Sequence, residues 1–386
     1  MCGVDFPNPF LLASGPPTAN AELISKGFER GWGGAVTKTI VGRGVKIENV
    51  SPRLAVLKCG SKVVAMQNIE LVTTRTLDEW IKDIRSLKNT WPDRVLIGSV
   101  MATYDEKEWQ SVVDEVQSAG VDMLELNLSC PHGMPERGAG AAIGQNPEMV
   151  RDVVSWVKDV AYVPVLAKLT PNVTDISAIA RAAEEGGADG ISAINTVLGF
   201  VGIDLDGMNP ILNVSGKTSF GGISRMAIKP IGLRCVAEIA KATNLPISGI
   251  GGISSWRDAL EYMLLGANTV QVCTAVMLRG FGIIGDMIHG LRKFMEEKGY
   301  GEVSEVVGLA LKSIVSFEEL PKEKKIAKID TENCSKCYSC VKSCSDGGFN
   351  AITVTNGYPE VDAKKCDGCG LCVCVCPNGC IRLEVV

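Results

Sequence analysis

The chain has 386 residues, 46% hydrophobic and 22% charged, with 39 Lys and Arg against 44 Asp and Glu for a net charge of -5. This is an ordinary globular composition with ample apolar material for a large core, and it lacks the basic footprint of a nucleic-acid binder. No apolar run approaches the ~18–20 residues that span a bilayer. The opening Met1-Cys2-Gly3-Val4-Asp5-Phe6-Pro7 has no basic region followed by an apolar run, so no signal peptide is expected. Ten of the 15 cysteines lie between Cys334 and Val386, and so many thiols fit a reducing cytoplasm.

From residue 9 to about residue 298, short apolar runs alternate with amphipathic stretches. The strand candidates are Phe10–Ser14, Ala35–Lys38, Val95–Val100, Met123–Asn127, Pro164–Leu169, Gly190–Asn195, Pro246–Ile250 and Thr269–Cys273. Helical patterns between them include Asp105–Ala119, Pro147–Val160, Asp175–Glu185 and Ser255–Leu264. Several helices end on a glycine suited to a left-handed cap, namely Gly31, Gly120, Gly186 and Gly266. Eight strands alternating with helical regions predict an α/β fold, a (β/α)8 TIM barrel, with a doubly wound open sheet as the rival. Three long connections, Thr39–Arg75, Leu128–Asn146 and Thr196–Ser224, each follow a strand. In a barrel they would lie on the face where active sites are built.

The polar residues at the strand ends carry the chemistry. Lys38 and Lys168 each follow an apolar run, and burial of a lysine demands a partner. Each is either half of a rim ion pair or a cation beside the N1/C2 edge of a flavin. The loop after the fourth strand reads Asn127-Leu-Ser-Cys130-Pro-His132-Gly133-Met, with further glycines at 138, 140 and 144. A thiol with an ordinary pKa near 8.5 holds a proton at neutral pH and can deliver it to carbon, so Cys130 is the candidate general acid. His132 either tunes that thiol or is a plain loop residue, while Cys59 and Cys235 read as inert buried cysteines. Asn68, Asn127 and Asn195 offer paired donors and acceptors suited to a planar heterocycle. Gly249-Ile-Gly251-Gly252-Ile253 after the seventh strand, with Cys273-Thr274-Ala275 after the eighth, fits a barrel phosphate site. A dinucleotide fingerprint fails there, because Ser254 replaces the last glycine.

A segment at Val303–Ile314 is expected to be helical, and the charged run Glu318–Lys328 to be a linker. Two cysteine runs follow. Cys334, Cys337, Cys340 and Cys344 have C-x2-C-x2-C-x3-C spacing, and Cys366, Cys369, Cys372 and Cys376 repeat it with Pro377 directly after. This is the pattern of a two-cluster ferredoxin, in which the fourth cysteine of each run ligates the other [4Fe-4S] cluster. The expected ligand sets are Cys334, Cys337, Cys340 with Cys376, and Cys366, Cys369, Cys372 with Cys344. Zinc would favour two pairs over two quartets. Cys374 and Cys380 read as spectators. Clusters in the same chain favour a flavin, which converts single electrons into a hydride.

The strings Asn-Leu-Ser-Cys-Pro-His-Gly-Met at 127–134, Ala-Lys-Leu-Thr-Pro-Asn-Val at 167–173 and Asn-Thr-Val at 195–197, together with the cysteine runs, resemble the dihydropyrimidine dehydrogenases. The resemblance is to the catalytic subunit of the bacterial NAD-dependent enzymes and the C-terminal half of the animal ones. The barrel alone is also similar to class 1 dihydroorotate dehydrogenase. The resemblance implies a barrel over residues 1–300 that binds FMN, a helix and linker over 301–328, and a ferredoxin-like domain with two [4Fe-4S] clusters over 329–386. It implies reversible reduction of the 5,6-double bond of uracil or thymine, with Asn68, Glu70, Asn127, Asn195 and Thr196 holding the pyrimidine. Cys130 would protonate C5, and FMN would lie near Ser14, Lys38, Lys168, Gly222, Gly252, Cys273 and Thr274. Electrons would come from NAD(P)H through a partner subunit, an FAD- and NAD(P)-binding iron–sulfur flavoprotein, in a hetero-oligomer.

Two features depart from the family pattern. Arg225 stands in Gly-Gly-Ile-Ser-Arg where relatives often carry a small residue, and Ser345 rather than proline follows Cys344. The alternative readings are a dihydroorotate dehydrogenase catalytic subunit and an electron-transfer subunit with an inactive barrel.

Overall fold

The computed structural model describes residues 1–131, 133, 134, 136 and 138–386, and divides into two units, Met1–Ser313 and Ile314–Val386. In the first, eight parallel strands close into a barrel. They are β1 (Phe10–Leu12), β2 (Gly34–Val36), β3 (Val95–Met101), β4 (Met123–Asn127), β5 (Val165–Lys168), β6 (Gly190–Ala193), β7 (Ile247–Ile250) and β8 (Ala267–Val272). Closure is made by β1 against β8, with Phe10 opposite Val270, and by β2 against β3, with Gly34 opposite Val95. This is the expected (β/α)8 architecture, and closure excludes the open-sheet rival.

Helices α1 (Ala21–Arg30), α2 (Leu77–Thr90), α3 (Glu106–Ser118), α4 (Pro147–Lys158), α5 (Ile176–Glu185), α6 (Lys229–Ala242), α7 (Trp256–Leu264) and α8 (Ile283–Lys298) accompany the strands. Their N-termini are set by side chains that accept orphan backbone N–H groups, such as Asn20 from Leu23, Asp105 from Glu108 and Ser255 from Asp258. Thr76 and Glu79 form a reciprocal capping box on α2. The inward faces follow helical spacing: Trp80, Ile84 and Leu87 on α2, and Trp109, Val112, Val113 and Val116 on α3, are all buried. Each such side chain contributes about 1.5–3 kcal/mol by leaving water. Gly31, Gly120 and Gly266 have positive φ as expected, but Gly186 is right-handed and the reversal falls on Gly187, at φ 91°.

Two of the three long connections are folded rather than irregular. Leu54–Cys59 and Lys62–Asn68 form a hairpin, and Gly221–Ser224 and Val197–Gly199 extend it into a four-stranded antiparallel sheet. That sheet places Cys59 beside the exposed hairpin turn, which corrects its reading as a buried cysteine, whereas Cys235 is fully buried. Val303–Ile314 is not an α-helix; Val303–Glu305 and Leu311–Ser313 are short 3-10 turns. The positive φ of Gly308 interrupts any continuous helix there.

In the second unit, Lys325–Ile329 pairs antiparallel with Ile381–Val385, so the end of the expected linker is a strand. A hairpin of Ile352–Thr355 with Tyr358–Val361 and two helices, Ser339–Asp346 and Leu371–Val375, complete it. No helix among the described residues is long and apolar enough to cross a membrane.

Candidate active site and cluster sites

Glu125 sits in the middle of β4 and is fully buried. Its carboxylate accepts from Lys168 Nζ on β5 at 3.1 Å, Ser192 Oγ on β6 at 2.8 Å and Gln271 Nε2 on β8 at 2.9 Å. Contacts from β4 to β8 must cross the lumen, so this is a polar layer inside the barrel. Lys168 is therefore a charged residue held on the barrel axis by a buried partner, in keeping with the rule that buried charges are paired.

Above that layer a cavity opens among the strand ends and the loops that follow them. Ser14, Lys38, Asn68, Glu70, Asn127, Cys130, Lys168, Asn195, Thr196, Gly252, Cys273 and Thr274 all line it. Lys38 Nζ donates to Glu70 Oε1 at 2.5 Å, and Arg53 approaches the same carboxylate at 3.4 Å. Gly222 does not line the cavity; its carbonyl accepts from Asn68 Nδ2 at 3.0 Å, so it backs the asparagine instead. A Cβ on Gly222 would run into the Thr196 hydroxyl.

The asparagines form a bonded set. Asn195 Nδ2 donates to Ser129 Oγ at 2.8 Å and to Asn127 Oδ1 at 3.3 Å, while Asn127 Nδ2 donates to Thr39 Oγ1 at 2.9 Å. Thr196 N–H donates to Asn195 Oδ1 at 2.8 Å. Cys130 follows Ser129, 8% exposed, among Val41, Ile47, Val72, Met101, Met134 and Ala139. His132 lies outside the described residues.

The remaining lining has the features of a cofactor cradle. Gly252 has φ 71°, and a Cβ there would lie 2.8 Å from both the Arg225 carbonyl and Lys229 Cβ. A Cβ on Gly15 would meet Cys273 Sγ at 2.6 Å. Burial pushes the Cys273 thiol up to about 12, so it stays protonated. Gln271 Oε1 is buried and lacks a hydrogen-bond partner, an acceptor suited to a ring N–H. Ser224 and Thr274 hydroxyls meet at 2.9 Å beside the Gly251–Gly252 turn. These residues fit a flavin with a terminal phosphate.

In the second unit the cysteines gather around two small cavities. Cys344 shares one with Cys366, Cys369 and Cys372; Cys376 shares the other with Cys334, Cys337 and Cys340. The fourth cysteine of each run thus joins the first three of the other. Backbone N–H groups of Ala351, Ala327 and Lys336 donate to Cys344, Cys366 and Cys334 sulfurs, the kind of bond that tunes cluster potentials. Cys374 is exposed, but Cys380 lies in the second cavity with its Sγ 3.4 Å from that of Cys376.

Sequence reasoning misses Glu125, Thr39, Ser129 and Gln271. For Glu125 the signal is present, an acid amid Met-Leu-Glu-Leu, in the same form that singles out the lysines. Small hydroxyls and a glutamine in strands carry no such signal.

The comparisons with known proteins agree with this arrangement. The dihydroorotate dehydrogenase family profile matches residues 1–295, and a 4Fe-4S dicluster domain matches residues 327–383. The chain is 42% identical to the chloroplastic dihydropyrimidine dehydrogenase (NADP(+)) of Arabidopsis thaliana, covering 84% of this chain and 79% of the relative. It is 42% identical to the NAD-dependent dihydropyrimidine dehydrogenase subunit PreA of Escherichia coli K12, covering 91% and 86%. It is 40% identical to the dihydroorotate dehydrogenase B (NAD(+)) catalytic subunit of Pyrococcus abyssi, covering 80% and 97%. The chain belongs to the dihydroorotate dehydrogenase family of oxidoreductases, with a 4Fe-4S dicluster domain following its barrel.

Proposed function

We propose that the protein is the catalytic subunit of a dihydropyrimidine dehydrogenase. In this reading it reversibly reduces the 5,6-double bond of uracil or thymine, with FMN in the barrel and two [4Fe-4S] clusters in the C-terminal unit. The observation that carries the reading is the placement of the Cys130 thiol and the Asn68, Asn127 and Asn195 carboxamides around one cavity with Lys38 and Lys168. FMN would be held by Ser14, Lys38, Lys168, Gly252, Cys273 and Thr274, and when bound it supplies a hydride to C6 of the pyrimidine.

The protein's own residues do the rest. Asn68, Asn127, Asn195, Glu70 and Thr196 hold the pyrimidine through its alternating C=O and N–H groups. Asn127 and Asn195 are themselves fixed by Thr39 and Ser129, so little rotamer freedom is lost on binding. Cys130 Sγ delivers its proton to C5, balancing the hydride at C6; general acid catalysis of this kind is worth about 10²–10⁴-fold. Lys38 and Lys168, each paired with a glutamate, set their ammonium groups beside the site.

In this reading NAD(P)H is oxidised on another subunit, an FAD- and NAD(P)-binding iron–sulfur flavoprotein. The PreA relative is itself named as a subunit. The test is to reduce the protein anaerobically and add uracil, thymine or orotate. Reoxidation of the flavin by uracil or thymine supports the reading; reoxidation by orotate alone assigns the chain to dihydroorotate chemistry; reoxidation by none of them fits an electron-transfer subunit.

A further inference from the structure

Arg225 is built against the local rules. Its φ of 82° and ψ of -170° lie in a region that is essentially reserved for glycine. A residue with a Cβ holds that conformation only at a cost in backbone strain. Its guanidinium Nε and Nη1 are buried and have no hydrogen-bond partner. Orphaned buried donors on an obligatory cation are costly unless a ligand satisfies them.

Its surroundings narrow the ligand. Arg225 lines the large cavity, and its carbonyl lies 2.8 Å from where a Cβ on Gly252 would stand. Its neighbour Ser224 meets Thr274 at 2.9 Å. The residue therefore sits beside the loops that follow β7 and β8. Glu70 supplies the carboxylate among the described lining residues, and it is engaged by Lys38 at 2.5 Å. The other lysine of the lining, Lys168, is neutralised by Glu125 at 3.1 Å. Among the described residues no carboxylate pairs with Arg225, which leaves its buried donors open to an anionic ligand.

We propose that the Arg225 guanidinium binds the terminal phosphate of the flavin mononucleotide, adding a charged fork to the backbone N–H groups of the glycine turn. Planar guanidinium and phosphate match in a bidentate, charge-assisted geometry. The inference rests on the flavin reading given above and makes phosphate recognition in this chain partly a side-chain property.

The test uses the flavin-depleted full chain and measures binding of FMN and of riboflavin, which lacks the phosphate, by fluorescence quenching. Arg225→Gly suits the backbone and should fold at least as well as the parent, checked by its melting temperature. The expected result is FMN affinity weakened about 10–100-fold with riboflavin affinity unchanged, and partial recovery in Arg225→Lys. Parent-like discrimination between FMN and riboflavin in Arg225→Gly overturns the inference while leaving the flavin site intact. Loss of orotate affinity with FMN binding unchanged overturns it too, moving Arg225 to the substrate. A parent chain that binds neither flavin overturns the flavin reading, and this inference with it.

Discussion

Lys168 and Glu125 show how one buried charge pair organises the site. The Glu125 side chain is fully buried and the Lys168 side chain is 6% exposed, so the carboxylate cannot reach water if the lysine is removed. Lys168→Met should therefore destabilise the barrel by about 3–5 kcal/mol, because it leaves an uncompensated carboxylate. The double variant Lys168→Met, Glu125→Gln should recover most of that loss. Urea unfolding of the flavin-free protein measures both, and equal stability of the single and double variants would refute the pairing argument. The lysine was legible in the sequence as an expensive residue after an apolar run. Its partner was equally visible but lies 43 positions away, and only barrel closure reveals which acid meets which base.

At the level of elements, the loop after β4 is the part whose shape matters most. The short helix Ala141–Gly144 folds back on the strand end, so that Ala141 N–H donates to the Cys130 carbonyl at 3.0 Å. A Cβ on Gly144 would collide with the Leu128 carbonyl oxygen, and one on Gly140 would lie 2.8 Å from the Cys130 carbonyl. Gly144→Ala should thus shift the thiol while leaving the cofactor cradle alone. A displacement of about 1 Å can cost 10²-fold in rate. Turnover should fall by roughly that factor with the flavin spectrum unchanged, and parent-like turnover would contradict the assigned geometry. The glycines of this loop could be counted in the sequence, but which ones touch Cys130 could not. The same limit explains the missed hairpin over Leu54–Asn68. Its residues carry weak alternation and take their pairing from Gly221–Ser224, more than 150 residues on.

On the scale of the whole molecule, the order of strands and the cysteine spacing were legible because both are written in short periods. The barrel follows from eight apolar runs with polar ends, and the grouping of the cysteines around two cavities is the one expected from C-x2-C-x2-C-x3-C read twice. What the period cannot supply is the fifth thiol, Cys380, which enters one of the cluster cavities from outside both runs. Cross-ligation makes a specific prediction. Cys344→Ser should alter the same electron paramagnetic resonance signal as Cys372→Ser, and a different one from Cys340→Ser, although Cys344 and Cys340 share a run. Grouping of Cys344→Ser with Cys340→Ser would contradict the arrangement.

Pyrimidine reduction in this reading depends on Cys130 giving a proton to C5. The measurement closest to that claim is the anaerobic reoxidation of reduced protein by uracil or thymine, followed at the flavin absorbance for the parent and for Cys130→Ala. The variant is expected to retain flavin, iron and pyrimidine binding but to reoxidise about 10²–10⁴-fold more slowly. Reoxidation of Cys130→Ala at the parent rate would contradict the account.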